Sequence, residues 1–190
     1  MPAATESDSD IPRTFRRGPS DPVCLADQPG TWVEVAIAAP AERVWELVSD
    51  INLPARFSDE FVGASWRSGD GDGAGARAGA CFVGRNRHQA IGEWEAESFV
   101  EVYEPGLSFG WATSDPDNPG ARWRFDLEST GSSTTLRYSM SIGPGPSGIS
   151  MAIAAMPDKE DRILARRVRE HHANMARTVE GIKGLAEAQS

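Results

Sequence analysis

The tightest constraint on the fold is a change of period. From Phe61 to Ile142 the period shifts to two across the candidate strands FVGASW, ACFVGRNRHQ, EWEAESFVEVY, LSFGWAT, ARWRFDLES and TTLRYSMSI, with clear alternation in two of them. That spacing belongs to strands covered on one face and wet on the other. Between them lie SGDGDGAGARAG, EPG, SDPDNPG and TGSS, whose Gly, Pro, Asp and Ser favour turns. Strands joined so briefly form an antiparallel meander, because parallel neighbours need a long crossover. Two segments show which side is which. Trp94, Ala96, Ser98, Val100 and Val102 face one way, opposite Glu93, Glu95, Glu97 and Glu101. Trp123, Phe125 and Leu127 likewise oppose Arg122, Arg124, Asp126 and Glu128. The exposed rows carry opposite signs and are expected to pair across strands.

The flanks supply what covers the apolar side. In VEVAIAAPAERVWELVSD, Val33, Val35 and Ile37 alternate as a strand, and Pro40 suits the first turn of a helix, where its missing N–H costs nothing. Val44, Leu47, Val48 and Ile51 then recur at helical spacing, and DINLPARF reads as a break followed by a second short helix. From Pro157 to Ala188, Leu164, Val168, Met175, Val179, Ile182 and Ala186 form one stripe. A helix of roughly 30 residues is about 45 Å long and can cross a whole sheet.

At 190 residues the chain suits one domain. Residues 1–30 are rich in Pro, Ser and Asp without a period and are expected to be a mobile leader, so the domain is placed at 31–188. The net charge of −9 argues against nucleic acid or an anionic membrane as a partner. Cys24 and Cys81 stand far apart without nearby His, which suggests neither a disulfide framework nor a zinc site. MPAATESDSD has no apolar signal core and no run reaches membrane-spanning length, so a cytoplasmic location is expected. No metal or cofactor is expected. GPGPSG at Gly143–Gly148 has the letters of a dinucleotide fingerprint, yet its prolines remove backbone donors and no alternating strand–helix units follow. It reads better as a hinge before the apolar SMAIAAM, so residues 143–156 are either a lid over a cavity or a permanently packed connector. DGDG at Asp70–Gly73 lacks the later ligands of a calcium loop and reads as a turn.

The order strand, two short helices, antiparallel strands and long terminal helix resembles the START-like superfamily, also called SRPBCC, and within it the polyketide cyclase/dehydrase-like group. The likeness is carried by VEVAIAAPAERVWELVSDINLPARF, by FVGRNR with the later Trp94, by WRFDLE and by HHANMARTVEGIKGLAE, over Trp32–Glu187. It implies an α+β helix-grip fold, in which a curved antiparallel sheet wraps the terminal helix around an apolar cavity. It further implies that the two short helices close one end of the concave side, with Trp45 a candidate for the cavity wall. Family members bind lipids, sterols, polyketides or plant hormones, and some cyclise or dehydrate polyketide chains.

Strand parity and the helical stripe nominate the polar residues facing inward. Asn86 and His88 share a side with Phe82, Ser98 with Trp94, and Tyr138 with Leu136 and Met140. On the helix, His172 lies four residues after Val168 and three before Met175, with His171 at the edge of the stripe. The candidate binding set is therefore Trp45, Asn86, Ser98, Tyr138, His172 and Met175, with no catalytic residue assigned. A buried hydroxyl, amide or imidazole needs a partner, and in a cavity that partner can be a ligand. The function read from this is binding of a hydrophobic or aromatic, lipid- or polyketide-like small molecule. The alternatives are a polyketide cyclase/dehydratase-type enzyme using the same cavity, with His172 moving a proton, and a co-chaperone-like interaction protein with an open apolar groove. Arg85 and Arg87 have outward parity and are expected to face the glutamates of the neighbouring strand.

Overall fold

The computed structural model describes residues 23–67, 75–89 and 91–188. The leader expected before residue 23 and the turn expected at Asp70–Gly73 lie outside the described residues. Seven strands are described: β1 Gly30–Ile37, β2 Phe61–Trp66, β3 Cys81–His88, β4 Gly92–Glu104, β5 Ser108–Thr113, β6 Ala121–Ser129 and β7 Thr134–Ile142. They form one antiparallel sheet in the order β1-β7-β6-β5-β4-β3-β2. The meander thus runs from β2 to β7, and β1 closes onto the last strand from the far edge.

Among the described residues three α-helices accompany the sheet: α1 Ala41–Val48, α2 Gly148–Ala155 and α3 Glu160–Glu187. The Pro40 carbonyl accepts from Arg43 and Val44, so the proline sits at the cap of α1. Val44 and Val48 are buried, and the second short helix is a single 3-10 turn at Leu53–Arg56. The 28 residues of α3 extend about 42 Å. They bury Leu164, His171, Met175, Thr178, Val179, Ile182 and Ala186 against the concave side of the curved sheet and against α1. This is the α+β helix-grip arrangement.

Residues 23–29, expected to belong to the leader, are docked. Leu25–Asp27 makes a 3-10 turn, Val23 and Leu25 pack on the core, and the Leu25 amide donates to Glu160 Oε1 at 2.7 Å. The outer face carries the expected cross-strand ion pairs, Arg122–Glu101 at 3.0 Å and Arg137–Glu34 at 2.8 Å. Arg85 and Arg87 stand opposite Glu95 and Glu93.

One register shift changes the inner face. Val100 opposes Trp111 and Val102 opposes Gly110, which leaves Glu101 as the extra residue of a bulge. Beyond it the parity of β4 reverses. Tyr103, opposite Phe109, now points to the core, where Val102 was expected. With that correction the inward residues align across strands in two rows. One runs Tyr103, Phe109, Phe125, Tyr138 and Val33, and the other Val100, Trp111, Trp123, Met140 and Thr31.

The GPGPSG segment has a definite packing role. Gly143 and Gly145 donate to the carbonyls of Gly120 and Pro119, and a Cβ on either would lie 2.0 Å from a backbone oxygen of the Asn118–Pro119 turn. Only glycine allows that approach. Ser147 and Ser150 then cap α2 reciprocally. Ile149 and Ile153 pack on the core, and Met151 is 73% exposed.

Candidate functional site

The two rows meet α3 across a cavity of about 120 Å³. Its sheet wall is aromatic: Phe82, Phe109, Trp111, Trp123, Phe125 and Tyr138. The rings support one another. Phe125 and Tyr138 stack with centroids 4.0 Å apart, and Trp111 and Trp123 lie nearly parallel at 6.5 Å. His171 and Met175 come from the helix, and Asn86 and Ser98 add polar atoms at the β3–β4 side.

His171 defines the polar character of the cavity. Its ring stands edge-on to Trp123 at 5.0 Å and is 7% exposed. Its nitrogens make no hydrogen bond to a described residue. Burial holds the imidazole well below its ordinary value, and the positive charges of Arg167 and His88 push in the same direction. The ring is therefore neutral, with one N–H to donate and one nitrogen to accept. Tyr138 packs on the same tryptophan at 5.9 Å, and burial drives its phenol well above its ordinary value. It stays protonated at any working pH.

Of the residues nominated from sequence, Asn86, Ser98, Tyr138 and Met175 line the cavity. His172 does not. It is exposed, and its Nδ1 pairs with Thr31 Oγ1 at 2.9 Å at the rim of β1. The helix turns its neighbour His171 inward instead. Trp45 also lies off the cavity, edge-on to Tyr103 at 5.4 Å and to Phe109 at 6.5 Å, bracing the wall from α1. His88 sits outside, 3.7 Å from Glu170. Residues 148–155 supply none of the described lining of the cavity. Sequence reasoning missed Glu60, Asn174 and Thr178, which also border it.

Glu60 marks the limit of the cavity. Its carboxylate is 8% exposed as a residue and is held by the Arg167 guanidinium, with Nη1 donating to Oε2 at 2.7 Å and Nη2 to Oε1. Arg167 also reaches Glu170 at 3.3 Å. Burial alone would lower the Arg167 pKa, but hydrogen bonds and charge from Glu60 and Glu170 raise it. On the other side of Glu60 lies an open hollow of about 580 Å³, bordered by Asp59, Arg87, His88, Glu170, Ala173 and Arg177 among others.

Residues 31–180 match the family model described as polyketide cyclase/dehydrase and lipid transport. The chain belongs to that family. Among solved structures, a polyketide-cyclase-like protein from Corynebacterium glutamicum is 27% identical, with a TM-score of 0.60 over 84% of this chain and 92% of that one. A START superfamily protein from Mycobacterium smegmatis shares the fold at 15% identity, with a TM-score of 0.53 over 85% of this chain and 99% of that one. One di-domain aromatase/cyclase, from the BE-7585A biosynthetic pathway, aligns at 18% identity with a TM-score of 0.60, over 87% of this chain and 53% of that one. No functionally curated protein matches the chain. Among the described residues no helix is long and apolar enough to cross a membrane.

Proposed function

We propose that this family member binds a small aromatic molecule in the cavity under α3, with His171 and Tyr138 as its polar contacts. The observation that carries this reading is the neutral imidazole of His171. It is walled by aromatic rings and bonded to no described residue, an arrangement that leaves a donor and an acceptor for a guest. A hydrogen bond between that imidazole and a ligand hydroxyl or carbonyl would contribute about 0.5–1.5 kcal/mol net. The volume sets the scale, since an apolar cavity of about 150 Å³ accepts benzene. The inner space of about 120 Å³ is of that order, the scale of one ring.

Nuclear magnetic resonance tests this directly with benzyl alcohol as the probe. The indole N–H signals of Trp111 and Trp123 are expected to shift on titration, while that of Trp32, 40% exposed on the edge strand, stays put. His171→Phe should retain the fold and weaken binding about fivefold to tenfold, the worth of one hydrogen bond to a buried partner. Unmoved Trp111 and Trp123 signals at saturating probe would end this reading.

A second reading, a cyclase or dehydratase, is favoured by one observation. The cavity holds a neutral imidazole able to accept a proton together with a phenol able to polarise a carbonyl. Loss of turnover with retained probe binding in Tyr138→Phe would support it.

A further inference from the structure

The inner cavity and the outer charged hollow are separated by a wall that both of them touch. Glu60 and Asn174 border each space. In both cases the part that forms the wall is the side chain. Glu60 is held by the Arg167 side chain, whose own Nε is buried without a partner. The Asn174 side chain accepts weakly from the Asp59 amide at 3.3 Å and from Arg177 on the exterior. A wall of two side chains, held by other side chains, can open without movement of the sheet, provided that the Glu60–Arg167 ion pair shifts with it.

Volume gives the reason for opening it. Ligand sites usually occupy about 300–1,000 Å³. The inner cavity falls below that range and the outer hollow lies within it. The two also differ in chemistry. The inside is aromatic, whereas the outside presents the carboxylates of Asp59 and Glu170, the guanidinium groups of Arg87 and Arg177, and the imidazole of His88. Long arginine side chains offer aliphatic stems below charged ends, so a short chain carrying a hydrogen-bonding group suits this floor.

We propose that the two hollows form one bipartite site for an elongated amphipathic molecule, with its aromatic ring inside and a polar-ended tail passing the Glu60–Asn174 wall into the outer hollow. This rests on the aromatic-binding reading above and extends it to the length and polarity of the ligand. Glu60 and Arg167 act as the latch between the halves, and Ala173, exposed on α3, floors the outer half only.

The test compares benzyl alcohol, which fits the inner half, with 4-phenyl-1-butanol, whose tail is three methylenes longer. Each fully buried methylene is worth roughly a factor of four in affinity, and for a tail in an open hollow about tenfold in total is expected. Ala173→Trp should fill the outer hollow, removing most of that tenfold and leaving benzyl alcohol within about twofold. Gln89→Trp blocks the same hollow from the β3 side and should act alike, which guards against a helix-specific defect. Equal affinity for the two probes in the wild type would overturn the bipartite site while leaving the inner cavity as a binding site. So would equal losses for both probes in either blocking variant, or no loss for the long probe. Failure of both probes to bind the wild type would overturn the inner site and the bipartite one together.

Discussion

Acidification should destabilise this protein through His171, by an amount that follows from its burial. The unfolded chain protonates this imidazole near its ordinary value of about 6.5. The folded chain resists, because burial first, then the charges of Arg167 and His88, hold its pKa well below that. Above pH 6.5 both states carry the neutral ring and the residue is indifferent to pH. As the pH falls below 6.5 the unfolded state binds a proton that the folded state does not, so stability drops until the depressed folded value is reached. Within that window linkage removes at most about 1.4 kcal/mol per pH unit. His171→Phe keeps an aromatic edge against Trp123 and removes the proton. The measurement is urea unfolding of wild type and variant at half-unit steps across that range, plotted as the difference between them. Carboxylates common to both proteins cancel in the difference. A difference that stays flat, or that favours the wild type on acidification, would refute the neutral buried imidazole on which the site rests.

Two further perturbations test the frame around the site. A Cβ at Gly181 would lie 2.4–2.5 Å from the Phe57 ring, so Gly181→Ala should cost about 1–3 kcal/mol by overpacking, partly offset by about 1 kcal/mol of helix propensity. In a Phe57→Ala background the same change should stabilise, and chemical denaturation of the four proteins reads both signs. Arg167→Ala leaves Glu60 charged and buried and should lose about 3–5 kcal/mol, whereas the paired change Arg167→Met with Glu60→Leu should cost far less, as thermal unfolding would show.

The alternation of β6 and β7 made their limits legible. Both strands run as the quoted segments do, because Arg, Asp and Glu interleave regularly with Trp, Phe and Leu and because turn residues bound them. The bulge at Glu101 left no such trace. EVY continues the apolar alternation in letters, and only pairing with β5 reveals that Tyr103 has replaced Val102 on the inside. Register depends on contacts far apart in sequence, so the aromatic rows could not be assembled from parity within single strands. The histidines were not legible either. At about 100° per residue, His171 and His172 each lie roughly 50° from the mean direction of the stripe Leu164–Ala186, on opposite sides of it. The stripe therefore allowed either residue, and only the packing of the helix on the sheet turns His171 inward. Trp45 was expected at the cavity because α1 closes that end, yet the bulge places Tyr103 between helix and sheet to receive it.

Trp123 imposes opposing demands on any account of this cavity. It packs on both polar groups, Tyr138 and His171, and so fixes their rings relative to each other. With Trp111 it also lines the sheet side of the cavity. An enzyme that folds a long chain needs fixed proton donors and acceptors together with room for several rings. Here the residue that fixes the geometry walls a cavity of only about 120 Å³. The same ring serves a binder well, since a single aromatic guest gains a close wall and two positioned polar contacts. Truncating Trp123 should therefore enlarge the cavity and loosen His171 at once. Larger probes would gain access while benzyl alcohol lost affinity, and that inverse response distinguishes a site shaped around one ring from a larger chamber that happens to be partly filled.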